Sequence, residues 1–369
     1  MRQNLNLSLI IFLYFSFGLK PILSQEHAVT CVEHEVNFDV GDINLAGNLT
    51  IPNSKGPHPA VVLISGSFAD NRDAEAYGFK PFQLISEHLS NNRIAVLRYD
   101  DRGVGKSTGK HTYQYTIDEL ADDVFSAINF LKNRDDINPD QIGLIGHSLG
   151  GMIAPLVASK TKEVAFVISL AGPVTKTDEI NLKYRKETLD KQGKTKQEIE
   201  EALDIEKRII EVTRSGKGYE GLISDIKTIA KSDFEKLDEA RKKRYDSFEN
   251  YFRSTWYGLM LPFINTPFMK SFYDYKSLPP LENVTCPALF LFGEKDDQIK
   301  IHESGSIIIT ALYKAENYNY TIRVIPNVGH FFVKDLSKKE FGPGFLNIMT
   351  NWILENVHIH DRIGYSSCA

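Results

Sequence analysis

The most constraining feature of this sequence is a short glycine-rich motif between an apolar run and a helical pattern. Residues 141–145 form a short apolar run typical of a buried strand, G-H-S-L-G follows at 146–150, and residues 152–158 have helical character. A strand, G-x-S-x-G and a helix in this order are typical of a sharp turn that presents the serine hydroxyl above a sheet. In so tight a turn, a side chain at Gly146 or Gly150 would collide with the neighbouring strand or helix. We predict that Ser148 is a nucleophile; a glycine-rich turn with an incidental serine is the alternative.

Strand and helix patterns alternate on both sides of this motif. Continuous apolar runs of strand length predict buried strands, and apolar residues at helical spacing predict helices between them. Buried strands that alternate with helices predict a mostly parallel central sheet with right-handed crossovers and helices on both faces. Residues 34–52 alternate polar and apolar side chains, which predicts antiparallel strands at a sheet edge. The predicted buried strands are 60–65, 94–99, 141–145, 164–170, 288–292 and 321–325, and the predicted helices are 79–92, 117–132, 301–315 and 341–357.

The alternation of strands and helices stops after about residue 173 and resumes near residue 276. Residues 183–243 are dense in Lys and Glu at helical spacing, whereas residues 251–275 are aromatic and apolar. We therefore predict a helical cap or lid at 174–275, inserted into a core made of 25–173 and 276–369. The charged helices would form its outer surface. The aromatic part would line a cleft or pack the cap onto the core, and aromatic packing within the cap alone is the alternative.

Two loops that follow later strands carry candidate partners for the serine. A serine hydroxyl is a weak nucleophile, so it needs a base within hydrogen-bond reach and a carboxylate that orients the base. The loop after the strand at 288–292 contains Glu294, Asp296 and Asp297, and the loop after the strand at 321–325 contains His330. The carboxyl ends of parallel strands meet at one edge of a sheet, where open α/β sheets place their sites. We expect His330 and one of these acids to meet Ser148 there.

Several segments together resemble the α/β-hydrolase superfamily over most of residues 34–357. They are L-I-S-G-S at 63–67, R-Y-D-D-R-G-V-G-K-S-T-G at 98–109, the G-H-S-L-G motif, G-E-K-D at 293–296 and G-H at 329–330. They are similar to the secreted or periplasmic bacterial carboxylesterase branch, which is close to serine-aminopeptidase-like and acyl-thioesterase-like hydrolases. In many such relatives a glutamate follows the nucleophile, where this chain has a leucine.

The resemblance implies an α/β-hydrolase fold and a role for each site residue. Ser148 would be the nucleophile, Asp296 would be the acid at the family's G-x-x-D position, and His330 would be the base. The backbone N–H groups of Leu149 and Ser67 would form the oxyanion hole.

The resemblance also implies an activity. The chain would be a serine hydrolase that cleaves small-molecule carboxylic esters through an acyl-enzyme intermediate, with no cofactor and no metal. A peptidase or amidase and an acyl-thioesterase on the same three residues are alternatives. A non-catalytic binding protein on a hydrolase scaffold is an alternative of another class. The acyl and alcohol specificity and the oligomeric state are open at this point.

The first residues have the pattern of an export signal. Arg2 gives a basic start, an apolar run extends from about residue 5 to 19, and the small residue Ser24 precedes a polar stretch. This pattern predicts a signal peptide at 1–24 and a secreted or periplasmic protein without a stable membrane anchor after cleavage. The apolar run is shorter than the roughly 20 residues that a spanning helix needs. An uncleaved membrane anchor is the alternative.

Composition argues against several other classes of protein. The net charge is −5 and no basic stripe is present, so nucleic acid is not expected as a partner. Three cysteines are too few and too scattered for a disulfide framework or a zinc site, although one disulfide is possible. These cysteines are Cys31, Cys286 and Cys368.

A loop at residues 100–109 superficially resembles a phosphate-binding loop. The sequence G-K-S at 105–107 lacks the earlier glycine, because Asp100 stands at that position. We predict a structural role instead, in which Asp101, Arg102 and Ser107 hold a tight loop beside the active site. The acidic pair Asp122 and Asp123 is predicted to be solvated or to lie at a helix end.

Overall fold

The structure is a computed structural model that describes residues 31–67 and 70–363, with side chains described up to residue 357. The predicted signal peptide at 1–24 and Cys368 therefore lie outside the described residues. Cys31 and Cys286 both carry free thiols, so no disulfide joins these two. Within the described ranges, no helix combines the length and the apolar character needed to cross a membrane.

The centre of the fold is an eight-stranded sheet with the strand order β1-β2-β4-β3-β5-β6-β7-β8. The strand pairs β1–β2 and β2–β4 are antiparallel, and all pairs from β4 through β8 are parallel. The predicted mostly parallel sheet with antiparallel strands at one edge is confirmed. The strands are β1 (Cys31–Val40), β2 (Ile43–Pro52), β3 (His58–Ile64), β4 (Ala95–Tyr99), β5 (Ile137–His147), β6 (Phe166–Leu170), β7 (Ala288–Gly293) and β8 (Tyr320–Ile325).

Thirteen helices surround or extend this sheet in the described part of the chain. Five of them, α1–α3, α12 and α13, belong to the alternating pattern, and α4–α11 lie between β6 and β7. They are α1 (Pro81–Asn91), α2 (Ile117–Lys132), α3 (Leu149–Lys160), α4 (Thr177–Lys191), α5 (Lys196–Ser215), α6 (Tyr219–Glu235), α7 (Glu239–Tyr245), α8 (Phe248–Ser254), α9 (Trp256–Met260), α10 (Pro267–Asp274), α11 (Leu278–Leu281), α12 (Ile301–Lys314) and α13 (Phe345–Ile363), and two short 3-10 turns lie at Thr112–Gln114 and Leu261–Phe263.

Strand β3 explains why the sheet is buried on both faces. Successive side chains of a strand point to opposite faces. Ala60, Val62 and Ile64 pack with α2 and α3 on one face, whereas Val61 and Leu63 pack with α1 and α13 on the other. Each of these five side chains is at most 3% exposed. Helices on both faces therefore require the continuous apolar run that the sequence shows.

Helix α2 has the sequence signals that fix its start. The Thr116 hydroxyl accepts a hydrogen bond from the Glu119 backbone N–H at 3.3 Å, and the Glu119 carboxylate accepts one from the Thr116 N–H at 2.7 Å. Such reciprocal capping contributes about 1 kcal/mol. Leu120, Val124 and Ile128 recur at helical spacing and are buried against the sheet. The observed bounds agree with the predicted helix at 117–132.

The segment between β6 and β7 consists of helices joined by turns and loops and contains no strand. Part of it has its own apolar cluster, formed by α5, α6, α8 and the turn that follows α9. Helix α10 instead packs into the main core through Phe268, Met269 and Tyr273. The division of the chain at residues 174 and 275 stays a prediction.

The region after β8 differs from the prediction. A small hairpin, β9 (Val333–Asp335) and β10 (Glu340–Phe341), follows it and is absent from the predicted pattern. The predicted helix start at 341 is wrong, because Phe341 pairs with Val333 in this hairpin and α13 begins only at Phe345. Gly344, with φ of +71°, makes the turn into the helix.

Candidate active site

Ser148 lies in the turn between β5 and α3 with φ of +52° and ψ of −113°. This backbone conformation is rare for a residue with a side chain and costs roughly 1–3 kcal/mol. An added Cβ at Gly146 would lie 2.0 Å from the Gly150 carbonyl oxygen, and one at Gly150 would lie 2.2 Å from the Ile64 carbonyl oxygen. The predicted collisions are confirmed. The Ser148 N–H donates to the Leu170 carbonyl at 2.9 Å, which helps to hold the turn.

Three side chains that are far apart in the sequence form one hydrogen-bonded chain. The Oγ of Ser148 lies 3.0 Å from Nε2 of His330, and Nδ1 of His330 lies 2.9 Å from Oδ2 of Asp296. A carboxylate can only accept, so Nδ1–H donates to Asp296 and Nε2 is left to accept from the serine hydroxyl. The structure thus brings together the predicted Ser148, His330 and Asp296 at the carboxyl ends of β5, β7 and β8.

Asp296 is the acid that faces His330 among the three candidates. Its side chain is fully buried, and its Oδ1 accepts the backbone N–H groups of Gln298 and Ile299, both at 2.9 Å. Glu294 instead accepts a backbone N–H from the neighbouring loop at 2.7 Å, and Asp297 is exposed and pairs with a lysine of α4. These contacts favour Asp296 as the acid, which is the assignment that the family resemblance implies.

His147 makes a contact that the sequence did not predict. Its Nε2 lies 2.9 Å from the backbone carbonyl of His330, and its ring centroid lies 5.4 Å from that of Phe331. Desolvation, followed by the neighbouring His330, lowers the pKa of His147 to about 3. The ring is therefore neutral at neutral pH, and Nε2–H donates to the carbonyl. Only its place beside Ser148 in the sequence could have indicated this role.

The two predicted oxyanion-hole residues border the same cavity as the serine. Ser67 and Leu149 line this cavity together with Ser148 and His330. Leu149 is the first residue of α3, and the N–H groups of a helix's first turn lack partners within the helix. The positive end of the helix dipole also favours negative charge at this place. The oxyanion-hole assignment stays a prediction.

The loop that carries Ser67 is held by a buried carboxyl group. Asp101 accepts the Ser65 hydroxyl at 2.8 Å and the Asp70 backbone N–H at 2.8 Å, so it contacts both ends of the loop. Burial raises the pKa of Asp101 to about 7 and that of Asp70 to about 6. Ser107 adds a hydrogen bond from its hydroxyl to the Asp100 carbonyl at 2.7 Å. Within the loop at 100–109, Ser107 thus has the predicted structural role, whereas the side chain of Asp101 holds the neighbouring loop through Ser65 and Asp70.

The prediction for Asp123 is wrong. Asp122 is exposed, but Asp123 is 2% exposed and forms a buried ion pair with Arg102, whose Nε donates to Oδ1 at 2.7 Å. An adjacent acidic pair on a helix points its two side chains about 100° apart, so one of them can face the core. The arginine that pairs with Asp123 lies 21 positions earlier, and no local pattern connects the two.

A cavity of about 190 Å³ lies between the serine and the helices of the predicted cap. A larger hollow of about 900 Å³, which includes parts of α2, α5 and α10, is lined by none of the three hydrogen-bonded side chains. The aromatic segment divides as follows: one part lines the smaller cavity and another packs inside the cap. The residues that line it are Trp256, Met260, Phe263, Phe268, Met269, Phe272 and Tyr273, whereas Tyr251, Phe252, Tyr257 and Leu261 pack with other cap helices.

Across residues 31–67 and 70–357, no group of three or more His, Cys, Asp and Glu side chains is placed to hold a metal ion.

Comparison with curated proteins gives partial matches. The chain is 35% identical to esterase EstD of Thermotoga maritima over 154 residues, which are 40% of this chain and 36% of that protein. It is 31% identical to the thiohydrolase aneE of Aspergillus aculeatus over 144 residues, which are 39% of this chain and 42% of that protein. The chain thus spans less than half the length of either relative.

Comparison with solved structures and with family models covers more of the chain. The Pyrococcus furiosus esterase PF2001 superposes with a TM-score of 0.55 at 18% identity, covering 88% of this chain and 91% of that one. The alpha/beta hydrolase GrgF from Penicillium gives a TM-score of 0.55 at 17% identity, covering 88% and 99%. At these identities the two structures share the fold alone. The family model described as the alpha/beta hydrolase fold matches residues 59–335, so the chain belongs to the α/β-hydrolase family.

Proposed function

We propose that this chain is a serine hydrolase that cleaves carboxylic esters of small molecules. The observation that carries the proposal is the hydrogen-bonded chain from Ser148 through His330 to Asp296, with distances of 3.0 Å and 2.9 Å. A base in contact with the hydroxyl and a buried acid that orients the base are what an activated serine needs. The partly matching esterase EstD supports the same reaction class.

The reaction would proceed in two halves. Ser148 Oγ attacks the ester carbonyl carbon while His330 Nε2 takes its proton, and the tetrahedral oxyanion receives hydrogen bonds from the amides of Leu149 and Ser67. His330 then returns the proton to the leaving alcohol, which leaves an acyl group on Ser148. Water, deprotonated by His330, attacks this acyl-enzyme, and the acid is released as Ser148 regains its proton.

We also propose that the chain is exported to the periplasm or outside the cell, with residues 1–24 removed as a signal peptide. The support is the basic start, the apolar run and the small residue at position 24. Expression of the full chain followed by N-terminal sequencing of the mature protein tests this. A mature protein that begins at Gln25 is expected, and one that retains Met1 in the membrane fraction would contradict the proposal.

The proposed activity is tested by replacing the nucleophile. Ser148→Ala should leave the thermal unfolding transition in place and lower the turnover of para-nitrophenyl acetate by at least about 10⁴-fold. Ser159→Ala, on the same helix α3, is the matched control, because its hydroxyl donates to the Leu156 carbonyl of its own helix. A Ser148→Ala variant with a tenth of the wild-type rate would show that the nucleophile is wrong.

Two further measurements separate the alternatives. Parallel assays with aryl esters, aminoacyl anilides and acyl thioesters distinguish an esterase from a peptidase and a thioesterase. A fluorophosphonate probe should label the wild-type chain and not Ser148→Ala. Failure to label wild type would favour a binding protein on a hydrolase scaffold.

A further inference from the structure

Three helices of the predicted cap meet at a buried carboxylate, Glu206 of α5. Its Oε1 accepts the indole N–H of Trp256 from α9 at 2.8 Å and lies 3.3 Å from Nε of Arg185 from α4. Glu206 is only 7% exposed. A carboxylate is removed from water only at a substantial cost in free energy, so its place in the cap requires an explanation.

Glu206 faces the same cavity as the proposed nucleophile. On α5, Glu206 and Ile209 both line the cavity, and residues three apart lie on one helix face. On α4, the lining residues recur at helical spacing as Thr177, Ile180, Asn181 and Tyr184. The cavity therefore has Ser148 and His330 on the side of the sheet and a set of polar side chains on the side of the cap.

The hydrogen bonds of Glu206 are incomplete in the described part of the chain. Both protein contacts go to Oε1, and no described side chain donates to Oε2. The Arg185 Nε that lies beside it is buried and makes no hydrogen bond. An ionised carboxylate can accept about four hydrogen bonds. A ligand that places a hydrogen-bond donor in the cavity would therefore gain a strong acceptor, and little further desolvation of Glu206 would be needed.

The remaining lining restricts what that donor can be attached to. Most other lining residues are apolar or aromatic, among them Phe263, Phe268 and Phe272. The volume of about 190 Å³ is below the roughly 300–1,000 Å³ of pockets for drug-sized ligands, so the enclosed group is small. Arg185 already balances the charge of Glu206, so an ammonium group would leave a net positive charge in the cap. A neutral hydroxyl adds a donor without adding charge.

We propose that the enclosed part of the substrate is a small aromatic group with a hydroxyl at the end remote from the ester, and that Glu206 accepts a hydrogen bond from this hydroxyl. The inference rests on the proposed function, because it assigns the substrate class of the same site. Glu206 thereby determines specificity and takes no part in bond cleavage.

Matched substrate pairs test the inference. One pair is the ethyl ester of phenylpropanoate and its para-hydroxy derivative, and the other is phenylethyl acetate and its para-hydroxy derivative. The pairs place the ring on the acyl and the alcohol side respectively. For at least one pair, wild type should prefer the hydroxylated ester by about tenfold or more in kcat/KM, because a site built to bind a hydroxyl discriminates strongly against its absence.

Variants of Glu206 should change this ratio. Glu206→Gln keeps the shape and removes the charge, and Glu206→Leu also removes the acceptors, so the preference should fall in the order wild type, Gln, Leu and approach unity in Leu. Glu211→Leu, exposed on the same helix α5, is the matched control and should keep the wild-type ratio. Thermal unfolding checks that each variant folds. If Glu206→Leu does not fold, the comparison of wild type with Glu206→Gln is sufficient for the test.

The outcomes separate this inference from the proposed function. Turnover of para-nitrophenyl acetate without a hydroxyl preference in either pair would overturn the inference and leave the esterase proposal standing. If Glu206→Gln lowered kcat/KM equally for both members of each pair, the role of Glu206 would be purely structural. This result would also overturn the inference. If wild type cleaves no ester, the inference is tested by binding alone. Isothermal titration calorimetry then compares the affinities of Ser148→Ala for para-hydroxyphenylpropanoate and phenylpropanoate. Tighter binding of the hydroxylated acid by about tenfold supports the inference, and equal binding overturns it.

Discussion

The Nε2–H of His147 donates to the backbone carbonyl of His330 at 2.9 Å. Because His147 immediately precedes Ser148, the serine turn and the histidine loop are joined twice, once by this bond and once by the bond between Ser148 and the His330 ring at 3.0 Å. The second bond belongs to the proposed reaction. The first fixes the loop that carries the base.

Replacing His147 should therefore weaken catalysis through the position of His330. We expect His147→Leu to lower kcat for para-nitrophenyl acetate by about 10–100-fold with little change in KM, since misplacement of a reacting group by about 1 Å can cost 10²-fold. His147→Gln, whose amide can still donate to the carbonyl, should recover much of the loss. Equal losses in the two variants would mean that bulk and not the hydrogen bond is what matters.

Of the three acids in its loop, Asp296 should be the one whose replacement lowers catalytic activity most. Asp296→Asn keeps the shape but can present an N–H to His330 and favour the wrong tautomer, so kcat should fall by about 10⁴-fold. Asp297→Asn is the matched control, because this exposed side chain pairs with Lys191 and not with His330. Steady-state kinetics of both variants at neutral pH provide the measurement. A larger loss in Asp297→Asn would reassign the acid.

Residue pattern alone was sufficient for the parts of the fold that are long, apolar and periodic. The run at β3 predicted a strand buried on both faces, and Leu120, Val124 and Ile128 predicted α2 because their spacing places them on one side. The meeting of Ser148 and His330 also followed from sequence, since Ser148 and the loop that contains His330 each follow a parallel strand and such strand ends share one edge. Choosing Asp296 over its neighbours required the family resemblance.

What the sequence did not predict depends on contacts between distant or very short segments. The hairpin of β9 and β10 has five residues in strands, too few for a period to be visible. The burial of Asp123 depends on Arg102, and the bond of His147 depends on a loop 183 residues later. Glu206 lies in a segment dense in charged residues, and only the packing of three helices shows that it faces inward.

The glycines of the serine turn should not tolerate a methyl group. Gly146→Ala would place a Cβ 2.0 Å from a backbone oxygen of α3, so backbone atoms would have to move and the variant should lose the fold or several kcal/mol of its unfolding free energy. Gly221→Ala, in α6 with open space around its added Cβ, should instead be neutral or more stable by up to about 1 kcal/mol. Urea unfolding monitored by circular dichroism compares the two. A soluble Gly146→Ala variant with wild-type stability would contradict the tight geometry.

Asp101 should make the stability of the fold depend on pH in a specific direction. Burial raises its pKa from the ordinary 3.8 to about 7, so between these values the folded chain retains a proton that the unfolded chain has lost. Its contribution to the free energy of unfolding is therefore fully present below about pH 3.8 and is lost as the pH rises through about 7. The pKa of His147 is lowered to about 3, so its contribution to the free energy of unfolding increases with pH over part of this range.

The effects of Asp101 and His147 on stability overlap in pH. The quantity to measure is therefore the difference in Tm between wild type and Asp101→Asn at each pH. The asparagine cannot lose a proton, so the Tm of the variant relative to wild type should rise from about pH 4 to about pH 7 and then level off, even if the lost acceptor for Ser65 or Asp70 lowers its Tm at every pH. Asp122→Asn, exposed on α2, is the control and should give a nearly constant difference. A constant difference for Asp101→Asn as well would mean that this buried carboxyl keeps the same charge in the folded and unfolded chains across the range, and that hydrogen bonding to the loop at 65–70 offsets its desolvation.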